Sequence, residues 1–134
     1  VDNRGEGEPG RMSDVWGGAA KVYTGSRHMY EAVQRQCPEL FPRILEAFHL
    51  AAAIGISEDR LKPFQRDTPE ILNMYSVDPD DVLGPLLVAL FPDASGNERY
   101  KMLMEFAEYG IERIYQEVRD TATFDPSRYL IDAP

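Results

Sequence analysis

The stretch Tyr100-Lys-Met-Leu-Met-Glu-Phe-Ala-Glu-Tyr-Gly-Ile-Glu-Arg-Ile-Tyr-Gln-Glu-Val118 decides the fold class. Tyr100, Leu103, Met104, Ala107, Ile111, Ile114, Tyr115 and Val118 recur at intervals of three and four, the spacing of one face of an α-helix. Glu105, Glu108, Glu112, Arg113, Glu117 and Arg119 fall mostly on the other side. The pattern predicts one long amphipathic helix over residues 97–120. Gly110 interrupts it at a cost of ~1 kcal/mol relative to alanine, which implies a neighbour pressing close at that point.

Working back from that helix, Asp93-Ala-Ser-Gly-Asn97 reads as a turn. Before it, Asp78-Pro-Asp-Asp81 is a helix-start signal, and Val82, Leu83, Leu86, Leu87 and Leu90 predict a helix apolar on most faces. So apolar a helix is expected at the centre of the fold, ending at Phe91-Pro92. Thr68-Pro-Glu-Ile71 combines an N-cap, a proline and a first-turn acid. Residues 71–77 then fit either two turns of helix or a short strand.

Further back, Pro42 suits the first turn of a helix reaching Ile54, with Ile44, Leu45, Phe48, Ala51 and Ala52 as its stripe. Its small residues Ala51 to Ala53 would admit a second helix closely, and Gly55 is the expected stop. A first helix is expected over 27–36, with Ser26 as N-cap, Met29, Val33 and Cys37 recurring every fourth residue, and Tyr30 alongside. Pro38 ends it. Lys21-Val-Tyr-Thr24 reads as a short extended entry. Residues 57–67 form a polar connector.

The glycine-rich segment 1–20 lacks apolar periodicity and is expected to be a flexible tail. Met12 is a candidate natural start, which would make residues 1–11 an expression remnant. Residues 121–134 are expected to be an extended tail whose Phe124, Tyr129, Leu130 and Ile131 dock on the body. The whole is one domain over 21–120: a mostly α, compact bundle of four to five helices, with a short β element at 71–77 as the open alternative.

Charge is unevenly spread. The net value is −9, and residues 67–134 carry five basic and fourteen acidic groups, whereas 27–66 carry six and five. DNA binding driven by overall charge is disfavoured, and a phosphate contact would need a local patch. Arg60, Lys62 and Arg66 with Phe64 among them form the one such cluster; its cations would hold phosphate while Phe64 stacks on a base. A solvated loop is the plainer reading of these residues. Glu105, Glu108 and Glu112 form an acidic stripe, either a solvated face or a docking surface for a basic partner.

No phosphate loop, dinucleotide fingerprint or nucleophile elbow is present. Glu46 and His49, three residues apart, supply too few ligands for a metal, and His28 reads as a surface residue. Cys37 with either histidine would need a proximity that sequence does not show. Asp78, Asp80 and Asp81 lack the glycine and terminal glutamate of a calcium loop and read as helix caps, as does the Asp93, Ser95, Asn97 set. No cofactor is expected and the residues favour a non-enzyme. Cys37 is the single cysteine, which excludes an intramolecular disulfide and fits a reducing, cytoplasmic compartment. No apolar run approaches the ~18–20 residues of a membrane span.

Two segments carry a family resemblance. Phe48-His-Leu-Ala-Ala-Ala-Ile-Gly-Ile56, followed by Arg60 and Lys62-Pro63, and later Phe106-Ala-Glu-Tyr-Gly-Ile-Glu-Arg-Ile114, resemble a small DNA phosphorothioation-associated (Dnd system-associated) family over about residues 22–118. Glu108-Tyr-Gly110 departs from that family's Asn-Gly-Gly character. The resemblance implies an accessory protein in anti-phage defence, with protein partners from a DNA modification or restriction system and no catalytic residues to carry over. Weak DNA contact through Arg60, Lys62 and Arg66 is the alternative, and an unrecognised enzyme a third. A homodimer is one way of covering the apolar surface of segments 82–91 and 100–118.

Overall fold

The computed structural model describes residues 15–129, with the side chains of 128 and 129 left aside. Within them the chain is mostly helical. In order come strand β1 (Lys21–Val22), helices α1 (Arg27–Gln36) and α2 (Ile44–Glu58), strand β2 (Leu72–Asn73), and helices α3 (Met74–Val77), α4 (Leu83–Leu90) and α5 (Gly96–Thr121). A 3-10 turn, Pro126–Tyr129, comes last.

Helix α5 organises the rest. Ser95 caps it by accepting from the Glu98 amide at 3.1 Å, and Glu98 Oε1 accepts from the Ser95 amide at 2.7 Å, a reciprocal capping box. Its buried side is the expected stripe, extended by Phe106 and Gly110. Helix α2 crosses this side on contact between backbones. A Cβ on Gly55 would lie 2.2 Å from the Phe106 carbonyl oxygen, and one on Gly110 would lie 1.8 Å from that of Ala51. Each helix therefore offers a glycine to the other's main chain. Gly55 does not stop α2, as the sequence implied. The helix runs on to Glu58 and ends at Asp59, which adopts the left-handed conformation, while the Arg60 amide donates to the Gly55 carbonyl.

Helix α1 packs Tyr30 and Val33 into the same core, followed by Cys37 and Phe41. β1 and β2 pair antiparallel with Lys21 opposite Asn73 and Val22 opposite Leu72. Segment 71–77 is thus both of the expected alternatives in succession, because Asn73 ends the strand and then caps α3 by accepting from the Ser76 amide. No helix starts at Thr68; that segment runs beside β1, with the Asp67 and Ile71 amides donating to the Thr24 and Val22 carbonyls.

Two of the expected placements change and one holds in part. The expected flexible tail is too long at its inner end, because Val15 and Trp16 are buried in the core. Residues 1–14 lie outside the described residues, as do Leu130 and Ile131. The expected docking of the C-terminal segment holds for Phe124, which is buried beside Phe41 at a ring separation of 6.2 Å. Finally, α4 is not central. Only Gly84 and Leu87 of its eight residues are buried, whereas α2 and α5 pack directly on each other.

Candidate functional site

Glu105, Glu108 and Glu112 share one side of α5, but they do not form an open acidic face. Glu108 is 3% exposed. Its Oε1 accepts from Thr24 Oγ1 at 2.7 Å and from the Gly25 amide at 3.3 Å, and its Oε2 accepts from Ser26 Oγ at 2.5 Å. The Ser26 hydroxyl therefore serves Glu108 and does not cap α1. This carboxylate pins the β1–α1 loop to α5. Burial, and secondarily the negative charge of Glu108, push the Tyr30 phenol well above its ordinary pKa.

The basic cluster is likewise engaged within the chain. Lys62 Nζ donates to Glu112 Oε2 at 2.8 Å, and the Lys62 amide donates to the Glu105 carbonyl at 3.1 Å. Arg66 lies over the Tyr23 ring at 4.3 Å and beside Tyr100. Tyr100 and Glu112 are twelve residues apart on α5, about 18 Å along its axis. Lys62 and Arg66 are therefore held at separated places. Phe64 is half-buried against the core, with its side chain close to Gly25, so it offers no free ring for a base. Arg60 is exposed. The two surfaces expected from sequence meet each other through the Lys62–Glu112 pair.

The remaining candidates are also accounted for locally. Glu46 pairs with Arg43 at the start of α2, Nε to Oε2 at 2.8 Å, and this hydrogen bond holds its carboxyl below the usual range. His49 Nε2 lies 2.6 Å from the Val77 carbonyl oxygen, so that nitrogen carries the proton. His28 packs edge-on to Tyr115. Cys37 comes nine residues later, about 13 Å along the helix axis. The Cys37 thiol is pushed up by burial, opposed by a hydrogen bond with the Phe124 backbone. Asp78 accepts from the amides of Val82, Leu83 and Gly84 at 2.8–2.9 Å and is the cap that the sequence suggested. Among the described residues no group of three or more His, Cys, Asp or Glu is placed to hold a metal ion.

What sequence reasoning placed at the centre is instead the chief exposed feature. Val82, which immediately precedes α4, and Leu86 and Leu90 on it are spaced by four, so they form one stripe, and they are 64%, 40% and 49% exposed. From Val82 to Phe91 no residue carries a charge. At the N-terminal end of the stripe lies an open groove of about 280 Å³, lined by His49, Val77, Asp78, Pro79, Asp80, Val82 and Leu83. The signal that could have found this surface is the pairing of an all-round apolar helix with a second, longer one that already fills the core.

The fold and this surface define a small helical bundle with an unpartnered apolar helix. No protein-family model, curated protein or solved structure matches the chain. The two segments that carry the sequence resemblance, 48–56 and 106–114, contain the residues of the α2–α5 crossing, Ala51, Gly55, Phe106 and Gly110. No helix among the described residues is long and apolar enough to cross a membrane.

Proposed function

We propose that this chain is a non-enzymatic accessory or adaptor protein that docks another protein on α4. The observation that carries the reading is the Val82, Leu86, Leu90 stripe: three large apolar side chains in line at the start of and along an uncharged helix, and open to solvent. Isolated apolar residues on a surface are ordinary, whereas an aligned set beside a groove is what interaction sites present. The DNA phosphorothioation setting rests on the resemblance of segments 48–56 and 106–114. It indicates where to look for the partner.

The test compares the wild-type chain with the double variant Leu86→Ser, Leu90→Ser as bait in the native host, each with and without nuclease. The expected result is a protein recovered by the wild type and lost with the variant, because both substituted positions are exposed. A partner held equally by both proteins would move the site away from α4. A partner released by nuclease alone would favour nucleic acid as the bridge and return attention to Arg60, Lys62 and Arg66.

A further inference from the structure

The chemistry around α4 specifies the class of partner, given that α4 is the docking face proposed for it. Between Asp67 and Glu98 the sequence carries seven acidic residues and no lysine or arginine. Asp80 and Asp81 are exposed immediately before Val82, and Asp93 is exposed just beyond Leu90. The stripe is thus bracketed by carboxylates at both ends. Asp80 and Asp81 make no ion pair among the described residues. Asp80 also lines the groove that Val77, Pro79, Val82 and Leu83 make apolar.

We infer that the occupant of this face is a basic amphipathic segment of another protein. It sets one apolar side chain in the Val77, Val82, Leu83 groove, lays further apolar residues along Leu86 and Leu90, and brings lysines or arginines against Asp80, Asp81 and Asp93. Charge complementarity selects this partner over the alternatives. A second copy of the chain would meet acid with acid at both ends of the stripe, on top of a net charge of −9. An acidic segment would fare no better. The span also suits a short element, since α4 is eight residues long, about 12 Å, and matches two turns of a docked helix.

The experiment uses the full chain and three labelled peptides of about 18 residues, long enough to form helix. One carries a leucine stripe on a lysine background, one the same stripe on a glutamate background, and one serines in place of the leucines on lysine. Fluorescence anisotropy is read at low and at moderate salt. The Leu–Lys peptide is expected to bind at least ten-fold tighter than the other two. The Leu86→Ser, Leu90→Ser variant should lose at least ten-fold of that affinity. Asp80→Asn with Asp81→Asn should lose a few-fold, more at low salt than at moderate salt, whereas Glu31→Gln with Glu39→Gln, exposed acids elsewhere, should lose none. Circular dichroism checks that each variant is folded. Equal affinity for the Leu–Lys and Leu–Glu peptides, both lost in the Leu86, Leu90 variant, would overturn the basic partner and leave α4 as a docking face. Leu–Lys binding untouched by that variant would overturn both. A dimer seen by sedimentation that the same variant dissolves would replace the basic segment with a second copy.

Discussion

Glu108 shows how a helical spacing can be read correctly and still mislead. Residues 105, 108 and 112 do share a side of α5, and a spacing of three and four says no more than that. What turns Glu108 inward is the β1–α1 loop folding over it, a contact more than eighty positions away in sequence. Because the carboxylate satisfies two hydroxyls and an amide in a buried place, Glu108→Ala is expected to destabilise the protein by about 3 kcal/mol. Glu108→Gln should cost less, since Thr24 and Ser26 hydroxyls can rotate to accept from an amide. Urea denaturation measures both; equal losses would mean that the carboxylate's hydrogen bonds, which the amide fails to replace, set the whole cost and the cavity in the alanine variant adds nothing. Tyr30 makes a matching prediction for pH. Its folded pKa lies above the unfolded value of about 10, so the folded chain holds a proton that the unfolded chain has released. Its contribution is fully present below pH 10 and is lost as pH rises. In Tyr30→Phe the alkaline fall in stability should be shallower by up to about 1.4 kcal/mol per pH unit. An unchanged slope from pH titration of the unfolding midpoint would place the effect elsewhere.

Among the elements, α5 was legible almost to the residue because its period, its Ser95 start signal and its length all agree. The close neighbour foreseen at Gly110 is the Ala51 carbonyl. The misread elements share one cause. A glycine after an apolar stripe signals either a stop or a close approach, and only the presence of Phe106 across from Gly55 decides between them. In the same way an apolar helix signals either a core or a docking face, and only the packing of α2 on α5 shows that the core is already filled. Gly110→Ala is a direct check on the crossing. Helix propensity alone favours alanine by ~1 kcal/mol. A Cβ 1.8 Å from a backbone oxygen must push the helices apart, so a net loss of roughly 3 kcal/mol is expected. A gain in thermal stability would show that the two helices are not in backbone contact at this point.

At the scale of the whole molecule, the two candidate surfaces read from sequence neutralise each other. Lys62 belongs to one and Glu112 to the other, and their ion pair closes the connector after α2 onto α5. Both side chains remain partly exposed, so Lys62→Ala is expected to cost under about 1 kcal/mol and to shift less as salt is raised. A loss of several kcal/mol in thermal unfolding would mean that the connector is held mainly by this pair. Exposed carboxylates also bracket α4, where a partner would meet Asp80, Asp81 and Asp93.

The thin attachment of α4 has a consequence for its dynamics. An element whose only buried residues are Gly84 and Leu87, held besides by partly buried Leu83 and Phe91 and the Asp78 cap, has less to lose on opening than α2 or α5. Its amides should exchange with solvent deuterium through local opening, well before those at the centre of α5 release theirs in global unfolding. A surface that detaches so readily can adjust its angle to what it grips, and binding there should be read out as slowed exchange over residues 82–91 while the rest of the exchange map stays as it was.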